Sequence, residues 1–174
     1  PGSVYGRSGI YMIDSSDNLC ADNTIDIQQQ CIRGNGIMVV GGNNNILQGN
    51  DVKTRGWGYG YDEGTAILLY RTSNATLKDN KICSENKLSL VVRGTETEDN
   101  ITYYNHNIDE SNTINGKPIK YYFNLNNEVI ENSTDWGELL VTASSNVTIK
   151  NITLTENGIL LGHTRDSTIS SSSI

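Results

Sequence analysis

One stretch of this chain recurs, and the recurrence limits its fold more than any other feature. Gly36 to Val52 reads GIMVVGGNNNILQGNDV. Gly9 to Ile25 (GIYMIDSSDNLCADNTI), Ala66 to Ile82 (AILLYRTSNATLKDNKI), Glu138 to Leu154 (ELLVTASSNVTIKNITL) and Gly158 to Ile174 (GILLGHTRDSTISSSSI) share its frame. A shorter copy is read from Leu88 to Ile108. Each copy opens on a short apolar run, bends at small or polar residues, and closes on a second strand ending in an aliphatic side chain. Self-similarity at a spacing of roughly 20–30 residues marks a solenoid.

Aligning the copies produces columns. Ile10, Ile37, Ile67, Leu90, Leu139 and Ile159 form one, and Met12, Val39, Leu69, Val92, Val141 and Leu161 form a second two residues on. The closing column holds Ile25, Val52, Ile82, Ile108, Leu154 and Ile174. Five residues before it stand Cys20, Leu47, Leu77, Tyr103, Ile149 and Ile169. Residues two apart in a strand share a face, so these columns point into one interior. Asn23, Asn50, Asn80 and His106, followed by Ile152 and Ser172, form a polar column. Asparagine suits such a place because it tolerates turn conformations and its amide bonds in both directions along a stack. The expectation is an all-β fold: a right-handed parallel β-helix of about six coils, with one long loop excursion at 109–136. Helical repeats fail on composition, because the segments are rich in Val, Ile, Thr and Tyr, Gly and Asn punctuate every few residues, and no 3.6-residue apolar period persists. A β-sandwich would not return the same columns in parallel register.

At 174 residues the chain is read as a single domain, 1–174, and as a fragment of a longer surface protein, since no capping segment is evident at either end. The net charge of −7 argues against a nucleic-acid partner held through phosphates. No apolar run is long enough to span a bilayer. Of the cysteines, Cys20 falls in a core column and reads as a small hydrophobe, while Cys83 faces outward or into a turn. A Cys20–Cys31 bridge is conceivable, as is an intermolecular one. No metal site is expected from cysteine or histidine clusters.

The loop Lys53 to Gly64, KTRGWGYGYDEG, interrupts the repeats and alternates glycines with Trp57, Tyr59 and Tyr61, followed by Asp62 and Glu63. Flat aromatic faces suit pyranose rings and the carboxylates accept hydroxyl hydrogen bonds, so these five residues are the candidate carbohydrate-binding set. Against this stands the plainer reading that Trp57 covers the side of the solenoid. Five sequons, at Asn74, Asn100, Asn132, Asn146 and Asn151, are candidate glycan acceptors if the protein is secreted.

The phrase NTINGKPIKYYFN (Asn112 to Asn124), followed by LLVTASSNVTIKNITL, resembles the NosD-like β-helix proteins of archaea, which are grouped with carbohydrate-binding and sugar-hydrolase repeat proteins. Asn115-Gly116-Lys117-Pro118 with Tyr121-Tyr122 carries the resemblance. It implies the right-handed β-helix and an extracellular or cell-envelope setting, and it transfers no catalytic residue. The family name implies periplasmic copper, but clustered Met, His or Cys ligands are absent from the sequence, so no cofactor is expected.

β-Helix enzymes work on polysaccharides along outward strand faces, where glycosidases need two carboxylates a fixed distance apart and lyases need a base beside a cation that stabilises the enolate-like charge. The outward columns read Tyr11, Met38, Leu68, Val91, Leu140, Leu160 and Ile13, Val40, Tyr70, Arg93, Thr142, Gly162, without a carboxylate. Asp62-Glu63 and Asp109-Glu110 read as solvated turns; His106 and His163 read as structural. Three functions therefore stand. The first is a non-catalytic envelope module that is structural or self-associates through an outer apolar face or open coil ends. The second is a carbohydrate-binding module for a polysaccharide or envelope glycan. The third is a polysaccharide lyase, hydrolase or epimerase whose catalytic residues lie outside this fragment. The outer apolar stripe should be covered, with the 109–136 excursion as the nearest candidate.

Overall fold

The computed structural model describes residues 8–27, 34–55, 64–85, 88–95 and 100–174. It is a parallel β-helix, built as two coil stacks. Three coils of the first stack each hold three strands: β1 (Ile10–Ile13), β2 (Leu19–Ala21) and β3 (Thr24–Ile27); β4 (Ile37–Val40), β5 (Ile46–Gln48) and β6 (Asp51–Thr54); β7 (Ile67–Tyr70), β8 (Thr76–Lys78) and β9 (Lys81–Ser84). The fourth coil comprises β10 (Leu90–Arg93), a 3-10 turn at Ile101–Tyr104, β11 (Asn107–Ile108) and β12 (Thr113–Ile114). The second stack has two strands per coil: β13 (Lys117–Phe123) and β14 (Val129–Trp136), β15 (Glu138–Thr142) and β16 (Thr148–Leu154), β17 (Ile159–Gly162) and β18 (Thr168–Ser170).

The register matches the expected stacking where the repeat is regular. Ile37 pairs with Ile67, Val39 with Leu69, Leu47 with Leu77, and Val52 with Ile82. All eight are buried in one core. In the fourth coil the alignment slips by one column. Ile108 stacks on Leu77, not on Ile82, and Ile114 continues the Val52–Ile82 column. The cause is the 3-10 turn, which inserts a bend before the second strand and makes Tyr103 part of that turn.

The corners are set by residues in left-handed backbone conformation at repeated positions. Asp22, Gly49 and Asp79 occupy one such column (φ 56, 65 and 55°), and Asp17, Asn44 and Asn74 another (φ 59, 55 and 51°). Asn, Asp and Gly are the residues that enter this region at least cost, which is why the sequence is rich in them at these spacings.

Next to one corner runs a buried amide ladder. The Oδ1 of Asn50 accepts from Asn23 N (3.1 Å) and Nδ2 (2.9 Å), while its Nδ2 donates to Cys20 O and to Asn80 Oδ1, both at 2.9 Å. Asn80 repeats the pattern with Leu47 O and Asn112 Oδ1, both at 2.8 Å. The fourth member is therefore Asn112. His106 stands at another corner, in the column of Asn18 and Asn45, and its Nδ1 accepts from Ala75 N at 3.1 Å.

The expected excursion at 109–136 is instead the point where the strand direction reverses. Asn115 and Gly116, with φ of 49 and 82°, form a two-residue hairpin, and β13 runs antiparallel to β12. Asn-Gly is the preferred pair for such a turn because both positions need positive φ. The sheet then continues in parallel register from β13 to β15 to β17. One face of that extension presents Ile119 and Leu140, fully buried in the first core, with Tyr121, Phe123 and Leu160 packed beside them. Its other face presents Leu139 and Val141 to a second core with Ile149, Ile152 and Leu154. The second stack thus lies over the end of the first.

This arrangement corrects the expected outer stripe. Leu140 and Leu160 do point away from their own coil's interior, but they belong to a different sheet from Met38, Val40, Leu68 and Tyr70, and the first core covers them. Tyr121 and Phe123 pack on that same core rather than across an outer face, and Tyr122 joins the second core. On the first sheet Leu68 and Val91 are buried, whereas Tyr11 and Ile13 remain 53% and 49% exposed. Cys20 is a buried free thiol, and Cys83 is free and half-buried; Cys31 lies outside the described residues.

Two substitutions test this packing by urea denaturation. Asn50→Ala removes a buried side chain that hydrogen-bonds to both neighbouring coils and is expected to cost about 2–4 kcal/mol, whereas Gln48→Ala, exposed on β5, should stay within about 0.5 kcal/mol. Leu140→Ala should cost about 2–5 kcal/mol, as expected for a cavity at the joint of the stacks.

Candidate functional site

The chemistry-bearing side chains of the described residues gather in two places. The first is the joint between the stacks. In the regular coils, backbone N–H groups of the first sheet donate to the following coil: Ile37 N to Ala66 O, Ile67 N to Ser89 O, Gly41 N to Tyr70 O and Arg71 N to Arg93 O. β10 ends that sheet, so its outer donors need other acceptors. Glu138 Oε2 accepts from Leu90 N at 3.2 Å and from Ser89 N at 3.0 Å, and the hydroxyl of Tyr104 accepts from Gly94 N at 3.0 Å. Side chains therefore stand where a fifth coil's carbonyls would be.

Around these caps sits an aromatic cluster. The ring of His163, held at a left-handed bend (φ 52°), stacks on Tyr104 with centroids 5.6 Å apart. Tyr121 donates its hydroxyl proton to Tyr104 O at 2.5 Å and accepts from Thr142 Oγ1 at 3.0 Å. Its ring lies 6.4 Å from that of His106. Burial holds the Tyr121 hydroxyl well above the usual phenol range. Burial also pulls His106 down to about 4, opposed by its bond to Tyr103 O. With Nδ1 accepting from Ala75 N and Nε2 facing Tyr103 O at 3.0 Å, both ring nitrogens of His106 are committed. Burial raises Glu138 to about 8, against the two backbone bonds that lower it. A cleft of about 390 Å³ opens beside this joint between Leu88, Arg93, Tyr104, Leu160 and His163. The joint therefore performs structural work with groups that elsewhere do acid–base chemistry.

The second place is the outer face of the third sheet. Asp51, Lys53, Lys81, Cys83, Thr113 and Asn115 line a shallow groove of about 270 Å³ across β6, β9 and the hairpin. Parallel pairing sets Asp51 beside Lys81 and Lys53 beside Cys83. Lys53 and Arg55 both approach Glu85, at 3.7 and 3.8 Å. Lys81 has no ion pair among the described residues. Burial pushes the Cys83 thiol upward, with nearby Lys53 opposing the shift, so it is a poor nucleophile at neutral pH.

The sequence-expected carbohydrate set, Trp57, Tyr59, Tyr61, Asp62 and Glu63, lies outside the described residues. Its flanks are fixed: Thr54 ends β6, and Gly64 O accepts from Thr54 Oγ1 at 2.7 Å and Ser84 Oγ at 2.8 Å. Asn74, Asn132, Asn146 and Asn151 are exposed, in left-handed conformation. Asn74 and Asn146 donate through Nδ2 to Asn44 and Asn127 of the preceding coil. Asn100 is half-buried and its Oδ1 caps the 3-10 turn by accepting from Thr102 N. Asp109 accepts from Ser111 N, and Glu110 pairs with Lys120, so this carboxylate pair is bound locally. Sequence reasoning missed Glu138 and the groove. A glutamate opening the apolar run ELLV was the available signal for the first.

His106 makes the joint's protonation testable. Because its folded pKa lies below 6.5, its neutral form contributes stability that is fully present above about 6.5 and is lost as pH falls toward about 4. His106→Asn keeps an acceptor for Ala75 N and should remove that part of the pH dependence, measured as the change in Tm between pH 4 and 7 relative to the parent.

A family model described as "Periplasmic copper-binding protein (NosD)" matches residues 3–123. No curated protein and no solved structure matches. The described residues do not fit the copper of that description. No three His, Cys, Asp or Glu side chains among them converge as a ligand set. The His106 nitrogens are already bonded, and Met38 Sδ lies 3.6 Å from Asn35 Nδ2, which donates to it. The family match spans most of the chain and coincides with the regular coils, the fourth coil and the reversal strand, so this chain belongs to the NosD family of β-helix proteins.

Proposed function

We propose that this chain is a non-catalytic β-helix module of the cell envelope or extracellular surface. The observation that carries this reading is where the ionisable groups are used. Glu138 and His106 are sealed into the joint, and Asp109, Glu110, Glu85 and Glu131 are engaged in local bonds or ion pairs. The family description, periplasmic, supports the envelope setting. The exposed sequons at Asn74, Asn132, Asn146 and Asn151 are proposed glycan acceptors, with Asn100 the one most committed to local structure. Exposed Tyr11 and Ile13 on the first sheet are the proposed surface for self-association.

A second reading, carbohydrate binding, is favoured by the groove. It presents hydroxyl, amide, carboxylate and ammonium groups on one face, and the aromatic loop that carries Trp57, Tyr59, Tyr61, Asp62 and Glu63 leaves directly from β6, the strand that supplies Asp51 and Lys53. Such a mixture suits a polar saccharide whose ring faces stack on aromatics.

The two readings separate in one experiment. Envelope polysaccharides and their oligosaccharides are titrated against the parent, Trp57→Ala and Lys81→Ala while tryptophan fluorescence and binding heat are followed. A saturable signal weakened about tenfold or more in either variant supports the carbohydrate reading. No saturable signal with folded protein leaves the scaffold, for which fractionation of the native protein into the envelope is the expected result; recovery in the cytosol overturns it.

A further inference from the structure

The end of the first stack carries a device that the scaffold reading does not use. Leu90 N is the donor that a fifth coil would have satisfied with a backbone carbonyl, as Ala66 O and Ser89 O do for the coils before it. A carboxyl from the second stack takes that place instead. Glu138 is fully buried; its Oε2 holds Ser89 N and Leu90 N, and its Oε1 has no hydrogen-bond partner among the described residues. A neutral carboxylic acid can offer its carbonyl oxygen to both amides with little desolvation cost. A carboxylate in the same position leaves a charge without a counter-ion inside the joint, whereas the acid leaves only a neutral O–H unpaired at Oε1, and the buried charge is the costlier of the two.

The surroundings supply little to offset that charge. Across β13 the register neighbour is Ile119, and Asn157 Nδ2 bonds Ser89 Oγ beside the carboxyl. The titratable groups on the adjoining elements are engaged elsewhere: Lys117 with Thr155, Lys120 with Glu110, and Glu156 with Asn115. Glu85 faces Lys53 and Arg55, and Arg93, on β10 itself, is also partnered. His106 and Tyr121 at the same joint are held neutral by burial near neutral pH. Lys87 lies outside the described residues.

We propose that Glu138 is a protonation latch, which holds the second coil stack closed over the end of the first when its carboxyl is neutral and loosens that joint when it ionises. The consequence is an envelope protein whose end cap is tight in mildly acidic surroundings and opens in alkaline ones. The sign follows from linkage. Burial raises the folded-state carboxyl to about 8, so its contribution is complete below about 4.5 and is lost as pH rises toward 8. His106 acts in the opposite sense between about 4 and 6.5, so the joint is tightest at mildly acidic pH and weakens above about 6.5.

The test is hydrogen exchange of the Ser89 and Leu90 amides and of residues 138–142, corrected for intrinsic rates, from pH 5 to 9. It is run on the parent, Glu138→Gln and Lys87→Met, with the Glu138 carboxyl carbon shift followed by NMR in the parent. Protection in the parent should fall at least tenfold between pH 6 and 9, and Glu138→Gln should be flat. Lys87→Met should follow the parent, and the carboxyl should titrate near 8. A carboxyl titrating near 4.5, a parent profile without pH dependence, or an unchanged slope in Glu138→Gln overturns the latch. Loss of the slope in Lys87→Met overturns it too, since the carboxyl would then be an ion-pair partner. Should Glu138→Gln fail to fold, the carboxyl titration in the parent decides alone.

Discussion

The amide ladder through Asn23, Asn50, Asn80 and Asn112 is the interaction on which the coil geometry depends. A parallel stack repeats each corner directly above the last, so every corner buries the same polar backbone groups in the same place. Asn50 meets that demand in both directions, donating to a carbonyl of the coil before and to Oδ1 of the coil after. Residues without both a donor and an acceptor would leave a buried group unpaired at each rung. The aliphatic columns supply the burial energy, but they tolerate slips between similar side chains. The ladder fixes which residue lies above which.

A stack of parallel coils has a second requirement, since its last strand exposes a row of unpaired donors and a disc of apolar core. This chain answers with its own later coils. A two-residue hairpin reverses the strand direction, and the sheet β13–β15–β17 spreads over the open end with Ile119 and Leu140 filling the core. Glu138 and Tyr104 then take the edge amides that no following coil can reach. The same sheet serves two cores at once, one on each face, which is why β15 is buried along its whole length.

This economy determines how the ionisable groups at the joint are used. Groups that would serve acid–base chemistry on an exposed strand face are used to close the joint. Among the described residues, accessible polar groups lie on the third sheet, around Asp51 and Lys81, on the corners that carry the sequon asparagines, and along β14 and β16 at Glu131 and Lys150.

Much of this was legible in the sequence. Columns such as Ile37–Ile67 and Val52–Ile82 were readable because a parallel solenoid repeats one local environment at fixed spacing, so periodicity alone identifies the inward positions. The hairpin signal at Asn115–Gly116 was also present. The sequence could not reveal that this turn ends one stack and begins another, because both stacks present the same in-and-out alternation; only the partner across the sheet shows that Leu139 and Leu140 serve different cores. For the same reason His106 and Ile108 were placed one column away from their true neighbours: the bend at Ile101–Tyr104 shifts the count without disturbing the pattern. Glu138 read as a repeat residue by position. Its role as an acceptor for Ser89 and Leu90 depends on a contact between residues nearly fifty positions apart (|i−j| of 49 and 48), which packing decides and local propensity does not.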